Sequence, residues 1–349
     1  MITAVDVAKD PHWYLHDINL DKASLFFVKT EQLALSTCSF LDHRFDIRGL
    51  PSVSIPLSNL LDLTESINSV APTFVFHTAF CCSTLIARCL DLESVNLSLK
   101  EPAVLMALAN YHRVAHPLLA NPEQAKAIYT LVTRLLFRPF GESQSVLVKP
   151  TNTVNNIILP LMATHSQSRA LLLHSDLESF LISILKKGEQ GRGFARQLFS
   201  IFLMDSPEAQ QLDSTRLLRM TDSQIAAITW HLQSEMFFDV FKVYDPTRVS
   251  SLHCDRLLEN PREVLESVVN FFELKPLNQN FELLMNQAPL QSNAKTPDEK
   301  FGADTRNQEY EAARRTFSEA LSVITPWAKQ LSFRYQYSDQ IANPLLFKK

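Results

Sequence analysis

Residues Thr73-Phe74-Val75-Phe76-His77-Thr78-Ala79-Phe80-Cys81-Cys82-Ser83-Thr84-Leu85-Ile86-Ala87-Arg88 change character twice in one short run. Residues 73–76 have the length and apolar content of a buried strand. Residues 77–83 are polar or small, and from Thr84 the chain reads as the start of a helix. Strand, loop and helix in that order open a βα unit. In an open α/β sheet, ligands sit beyond the carboxyl ends of the strands. A helix start presents unpaired N–H groups and positive potential, both suited to phosphate. The hydroxyls of Ser83 and Thr84 are further donors. Laid on a Walker A loop, Thr84 takes the terminal Ser/Thr place, Ser83 replaces the lysine and Cys82 the last glycine. The missing lysine speaks against an NTPase or kinase. A tight strand–helix turn capped by Ser83 is the alternative reading of the same residues.

The alternation continues downstream. Val95–Leu99, Ser145–Val148 and Arg169–His174 read as buried strands, and helical stretches fill about 102–113 and 122–138. Asn152–Met162 reads as a helix. Asp176–Lys187 reads as another, with Asp at its start and Lys186, Lys187 and Gly188 at its end, matching the helix dipole and a glycine C-cap. Helices are expected over 194–204, 223–241 and from Pro261 to Phe272, with a last strand at Val249–His253. The polar stretch 289–307 reads as a mobile loop and 308–332 as a helical tail. The fold class expected is α/β, a parallel sheet flanked by helices, with a helical C-terminal half. Residues 1–70 read as a small β-rich N-terminal extension, 71–335 as the α/β domain and 336–349 as a tail.

Composition narrows the function. The chain has 349 residues but six glycines, where about 7% would give roughly 24. None forms GxGxxG, GxSxG or GxxxxGK[ST], which disfavours a dinucleotide fold, a nucleophile elbow and an ordinary phosphate loop. Net charge is −4 with a pI near 6.2, so no nucleic-acid coat is expected. No apolar run reaches the roughly 18–20 residues of a membrane span, and no secretory signal is expected, since Met1–Asp6 has no basic stretch followed by an apolar one. Five cysteines without ligand spacing fit reduced thiols in a cytoplasm. No metal site is expected, since His112, His116, His165 and His231 lack ligand spacing. Arg134 and Arg138 read as a solvated helix face, and Trp230, Phe237 and Phe238 as core. Cys81 and Cys82, at a helix start, read as small loop residues rather than nucleophiles, which would need a lowered thiol pKa and a base such as His77.

The stretch 76–88 also resembles the 5′-phosphosulfate loop of the sulfotransferase family, a P-loop NTPase-like fold. Leu99-Lys100-Glu101-Pro102 resembles the place where one branch of that family carries its catalytic glutamate. Val146-Leu147-Val148-Lys149-Pro150-Thr151 resembles the strand-end lysine set near the sulfuryl group. Leu173–Ser183 resembles the 3′-phosphate segment, in which an arginine ends the strand and a serine follows eight positions later; Ser183 matches. Val249–Leu274 resembles the family's late strand, acidic turn and helix. The chain is also similar to bacterial sulfotransferase-like proteins with an N-terminal extension.

The resemblance implies an enzyme that moves a sulfuryl group from 3′-phosphoadenosine-5′-phosphosulfate to a hydroxyl or amine. Its acceptor would be a small molecule or a modified biopolymer, and no metal is implied. Glu101, Lys149 and His77 would be the catalytic residues. Thr78, Ala79, Phe80, Cys81, Cys82, Ser83 and Thr84 would form the phosphate loop. Phe80 and Cys82 stand where the family has lysine and glycine, and Ser175 stands where it has the 3′-phosphate arginine. Lys100, Lys149, Arg88, Lys186, Lys187, Arg192, Arg196, Lys295 and Arg306 are candidates to replace the lost charge, with Ser175 and Ser183 at the 3′-phosphate. A non-catalytic nucleotide-binding module and, further off, a small-molecule kinase are the other readings.

Overall fold

The structure is a computed structural model and describes residues 2–286 and 303–346. Two sheets organise it. The first joins β1 (Trp13–Asn19), β2 (Ser24–Lys29) and β3 (Ser52–Pro56) in antiparallel order β1-β2-β3. The second contains β4 (Thr73–His77), β5 (Asn96–Lys100), β6 (Ser145–Lys149), β7 (Arg169–His174) and β8 (Val249–His253). Its order is β5-β6-β4-β7-β8, and every pairing is parallel. Helices pack on both faces, so strands β4 and β5 are buried at every position and read as apolar runs without strict alternation.

The register aligns the strand ends. His77 pairs with Leu173, Lys100 with Lys149, and His174 with His253. The strand order reverses between β6 and β4. β4 leads away to β5 on one side, while β6 leads back across to β7 on the other. That divergence opens a crevice at the carboxyl ends of β4 and β6.

The principal helices are α1 (Ser83–Cys89), α2 (Ala103–Arg113), α3 (Pro122–Leu136), α4 (Leu177–Lys186), α5 (Gly188–Asp205), α6 (Asp222–Val243), α7 (Pro261–Phe271), α8 (Ala303–Thr316) and α9 (Ser318–Ala328). Asp176 caps α4 through Ser179 N at 2.6 Å, and Gly188 follows it at φ +56°, as the sequence implied. Trp230 and Phe237 lie in the core; Phe238 packs at its edge. No helix among the described residues is long and apolar enough to cross a membrane.

Four expectations need correction. Residues 152–157 form a 3₁₀ turn rather than α-helix, and α-helix follows only over Ile158–Met162. Here Asn152, Asn155 and Asn156 direct their carboxamides to Gln233, His77 and Ala109 on other elements. The loop expected over 289–307 is helical from Ala303; residues 287–302 lie outside the described residues. Strand β1 was not read from the sequence at all. Its first four residues are buried in a row, without alternation to signal a strand.

The fourth correction concerns Arg138, which is buried rather than solvated. Its guanidinium donates to the carbonyls of Val7, Asp10 (3.1 Å), Trp13 (2.6 Å) and Leu135 (3.0 Å). It thereby ties α3 to the N-terminal segment. One apolar cluster runs without a break from Leu15 and Phe27 of the antiparallel sheet to Phe74 and Val148 of the parallel one. Arg134 does lie at the surface, paired with Glu65 at 2.7 Å.

Candidate active site

A cavity of about 600 Å³ opens where the strand order reverses. Three parts of the chain supply most of its wall. The 77–85 loop and the start of α1 supply His77, Ala79–Thr84 and Leu85. The segment before β3 supplies Phe40, Asp42, His43 and Arg44. Helices α2 and α5 supply Met106, Asn110, Phe194, Leu198 and Ile201.

The loop is shaped without glycine. Phe80 and Cys82 both sit at φ +61°, a left-handed conformation that costs non-glycine residues energy and that surrounding contacts must hold. Several contacts do so. Thr78 N donates to Leu173 O at 3.0 Å, and Ala79 N donates to Gln233 Oε1 at 3.2 Å. Gln233 also accepts from Asn152 Nδ2 at 2.8 Å, so α6 fixes two parts of the site. The Phe80 ring packs against Phe180 and Phe194, with centroids 5.9 and 5.5 Å away. The Thr78 hydroxyl is buried and makes no hydrogen bond.

At the ends of β5 and β6 lies a chain of charges. Lys149 is fully buried, and its Nζ donates to Glu101 Oε1 at 2.5 Å. Arg44 Nη2 donates to Glu101 Oε2 at 3.1 Å, and the same guanidinium grips Asp42 at 2.8 and 2.5 Å. Arg44 lies flat on Phe40, 3.5 Å from the ring centre. Glu101 itself sits at φ +55°. Burial raises the Glu101 pKa, but Lys149 and Arg44 oppose it, and the carboxyl is held below its ordinary value. Burial pushes Lys149 down, and its bond to Glu101 opposes that.

His77 is enclosed behind the loop. Its Nδ1 faces Thr78 O at 2.7 Å and Nε2 faces Pro150 O at 3.0 Å. Only a doubly protonated ring donates to both. Burial and the nearby Lys149 push the pKa down to about 3, so the neutral ring donates to one carbonyl at a time. Burial pushes the Cys81 thiol up to about 12, and its Sγ donates to Thr78 O at 2.8 Å. The lowered thiol pKa considered for Cys81 is therefore reversed, because burial outweighs the helix start.

The structure brings His77, Ala79, Phe80, Cys81, Cys82, Ser83, Thr84, Glu101 and Ser183 to the cavity wall. Lys149 stands directly behind Glu101. Ser183 Oγ bonds the Tyr310 hydroxyl, another wall residue, and donates to Ser179 O at 2.9 Å. Three candidates fall elsewhere. Thr78 is buried beneath the loop. Arg88 is in the last turn of α1 and does not line the cavity. Ser175 is buried at the β7 end, where its carbonyl accepts from Trp230 Nε1 at 3.0 Å and its hydroxyl has no partner. Lys295 and the side chain of Arg306 lie outside the described residues.

Sequence reasoning missed Phe40, Asp42, Arg44, Gln233 and Tyr310. Each reaches the site across a long stretch of chain, and none stands in a recognisable motif. A second cavity, about 870 Å³, lies at the ends of β7 and β8, lined by His174, His253, Arg256 and Tyr337. It is larger, but it lies away from the reversal of strand order and from the Glu101–Lys149 pair.

No family model matches the chain, and no curated protein matches it in sequence. Solved structures do resemble it. A sulfotransferase of Mycobacterium tuberculosis aligns over 73% of this chain and 82% of its own, with a TM-score of 0.43 at 12% identity. The sulfotransferase domain of the curacin biosynthetic pathway aligns over 72% of this chain and 99% of its own, with a TM-score of 0.42 at 12% identity. The sulfotransferase domain of a Synechococcus olefin synthase aligns over 72% and 95%, with a TM-score of 0.41 at 15% identity. At such values no activity carries over to this chain. What the fold and site define by themselves is a parallel α/β protein with a glycine-free strand–helix loop. That loop faces a cavity and a buried carboxylate–ammonium pair.

Proposed function

We propose that the protein is a sulfotransferase-type enzyme. It would move a sulfuryl group from 3′-phosphoadenosine-5′-phosphosulfate to a hydroxyl or amine of a small molecule or modified biopolymer. The observation that carries this reading is the placement of Glu101, with Lys149 bonded directly behind it, on the wall of the cavity that the 77–84 loop also lines. In-line sulfuryl transfer needs a base on the attacking oxygen and a cation near the bridging oxygen that leaves. Glu101 would take the acceptor proton as the new S–O bond forms. Lys149 would stabilise the charge left on the phosphate oxygen as the old S–O bond breaks. Ser83 and Thr84 would donate to the 5′-phosphate, and Ser183 to the 3′-phosphate.

One observation favours a second reading, a nucleotide-binding module without catalysis. Glu101 already holds two cations, Lys149 and Arg44, and Arg44 is also held by Asp42. Calorimetric titration with adenosine 3′,5′-bisphosphate, against ATP with Mg²⁺, tests both. Tight bisphosphate binding with weak ATP binding supports the donor site. Preference for ATP favours the kinase reading, and binding of neither overturns a nucleotide site. Glu101→Gln then separates enzyme from module. It is expected to keep bisphosphate binding and to cut turnover strongly, and unchanged turnover removes Glu101 from the mechanism.

A further inference from the structure

An anionic donor at the 77–84 loop needs positive charge close by, and the loop itself contains none. The cations around it are mostly committed. Arg44 and Lys149 share Glu101. Lys186 pairs with Glu309 at 2.6 Å, Arg196 with Asp222 at 2.6 Å, and Arg314 with Glu178 at 2.5 Å. Each of these already serves a carboxylate.

Lys187 is different. It caps the C-terminus of α4 and is exposed. It has no carboxylate partner among the described residues. Its Nζ stands over the ring of Phe80, 5.9 Å from the centre. Phe80 is the loop's own wall residue, gripped from behind by Phe180 and Phe194. An exposed cation–π contact is among the weaker polar interactions, and a charge-assisted hydrogen bond to phosphate is stronger. The ammonium therefore gains by leaving the ring for an anion beside it. Gly188 directly follows at φ +56°, so α4 ends at Lys187 and the side chain leaves the helix at its last turn.

We propose that Lys187 is the cation of the loop. It rests on the face of Phe80 and swings to the 5′-phosphate group of a bound nucleotide. The inference rests on the reading that the loop holds a nucleotide donor. It adds a residue more than a hundred positions downstream of the loop as the source of its charge.

The test is calorimetry on the full chain with two probes, adenosine 3′,5′-bisphosphate and adenosine 3′-monophosphate, which lacks the 5′ group. Lys187→Gln is expected to weaken the bisphosphate about tenfold or more and to make its binding less salt-dependent. Lys187→Arg is expected to retain most of the affinity. With the 3′-monophosphate, Lys187→Gln and the parent protein should bind alike. Equal bisphosphate affinity in the parent and Lys187→Gln overturns the proposal and leaves the donor reading standing. An equal loss with both probes also overturns it, because the charge then serves the 3′ end. If the parent binds neither probe, the donor reading itself fails and the role of Lys187 falls with it. Thermal melts of each variant verify folding, which an exposed position makes readily met.

Discussion

Arg44 Nη2 lies 3.1 Å from Glu101 Oε2 although 57 positions of sequence separate them. The contact brings the N-terminal segment into the wall of the cavity. It also places a second cation on a carboxylate that Lys149 already holds. Arg44→Met should therefore raise the Glu101 pKa, and Arg44→Lys should raise it less. Carboxyl carbon NMR of selectively labelled glutamate follows this directly. An unchanged Glu101 titration in Arg44→Met would show that Lys149 alone sets it.

Glu101 and Lys149 should also behave as one unit in stability. Lys149 is wholly buried, so Glu101→Ala leaves an uncompensated ammonium in the core. Breaking such a pair typically costs about 3–5 kcal/mol. Replacing both, as in Glu101→Leu with Lys149→Met, should cost less than the sum of the two single changes. Urea unfolding of the four proteins measures the coupling, and strict additivity would contradict it.

Two buried histidines give a definite pH dependence. Burial pushes both His77 and His174 down to about 3, and neighbouring positive groups act the same way. The unfolded chain then binds protons that the folded one refuses. Stability is full above the ordinary histidine value near 6.5 and is lost progressively as pH falls from there toward 3. The slope is at most about 1.4 kcal/mol per pH unit for each histidine. His174→Phe should remove one share of the slope between pH 6 and 5. A slope identical to the parent's would mean that His174 is already protonated in the fold.

Thiol chemistry separates the cysteines. Cys81 and Cys89 are buried, and burial pushes both thiols up to about 12. Neither should react with an aromatic disulfide reagent at pH 8 until the protein unfolds. Peptide mass mapping after a brief exposure would reveal the pattern. Fast labelling of Cys81 in the native state would contradict the burial of its thiol.

Much of the parallel sheet was legible because its signal is local. Buried strands appear as apolar runs such as Val146-Leu147-Val148, and helix ends carry their own marks, as Asp176 and Gly188 do. The loop was legible for the same reason: strand, polar turn and helix follow one another in sequence. Arg44, Gln233 and Tyr310 were not, since their contacts span 57, 154 and 127 positions and leave no periodic trace. Arg138 misled because i, i+4 spacing with Arg134 describes only a helix face. Whether that face meets water depends on what packs there, and here it meets backbone carbonyls. Ser175 follows the right strand but is buried and does not line the cavity, which alignment of motifs does not reveal.

The grip of Arg138 on the N-terminal carbonyls has a consequence for biosynthesis. Its bond to Trp13 O spans 125 positions. At synthesis rates of about 5–20 residues per second, Trp13 emerges roughly 6–25 s before the guanidinium that holds it. The N-terminal carbonyls thus wait for the whole of α3 to be made before they are fastened. For that interval the carbonyls of Val7, Asp10 and Trp13 lack the donor that satisfies them in the fold.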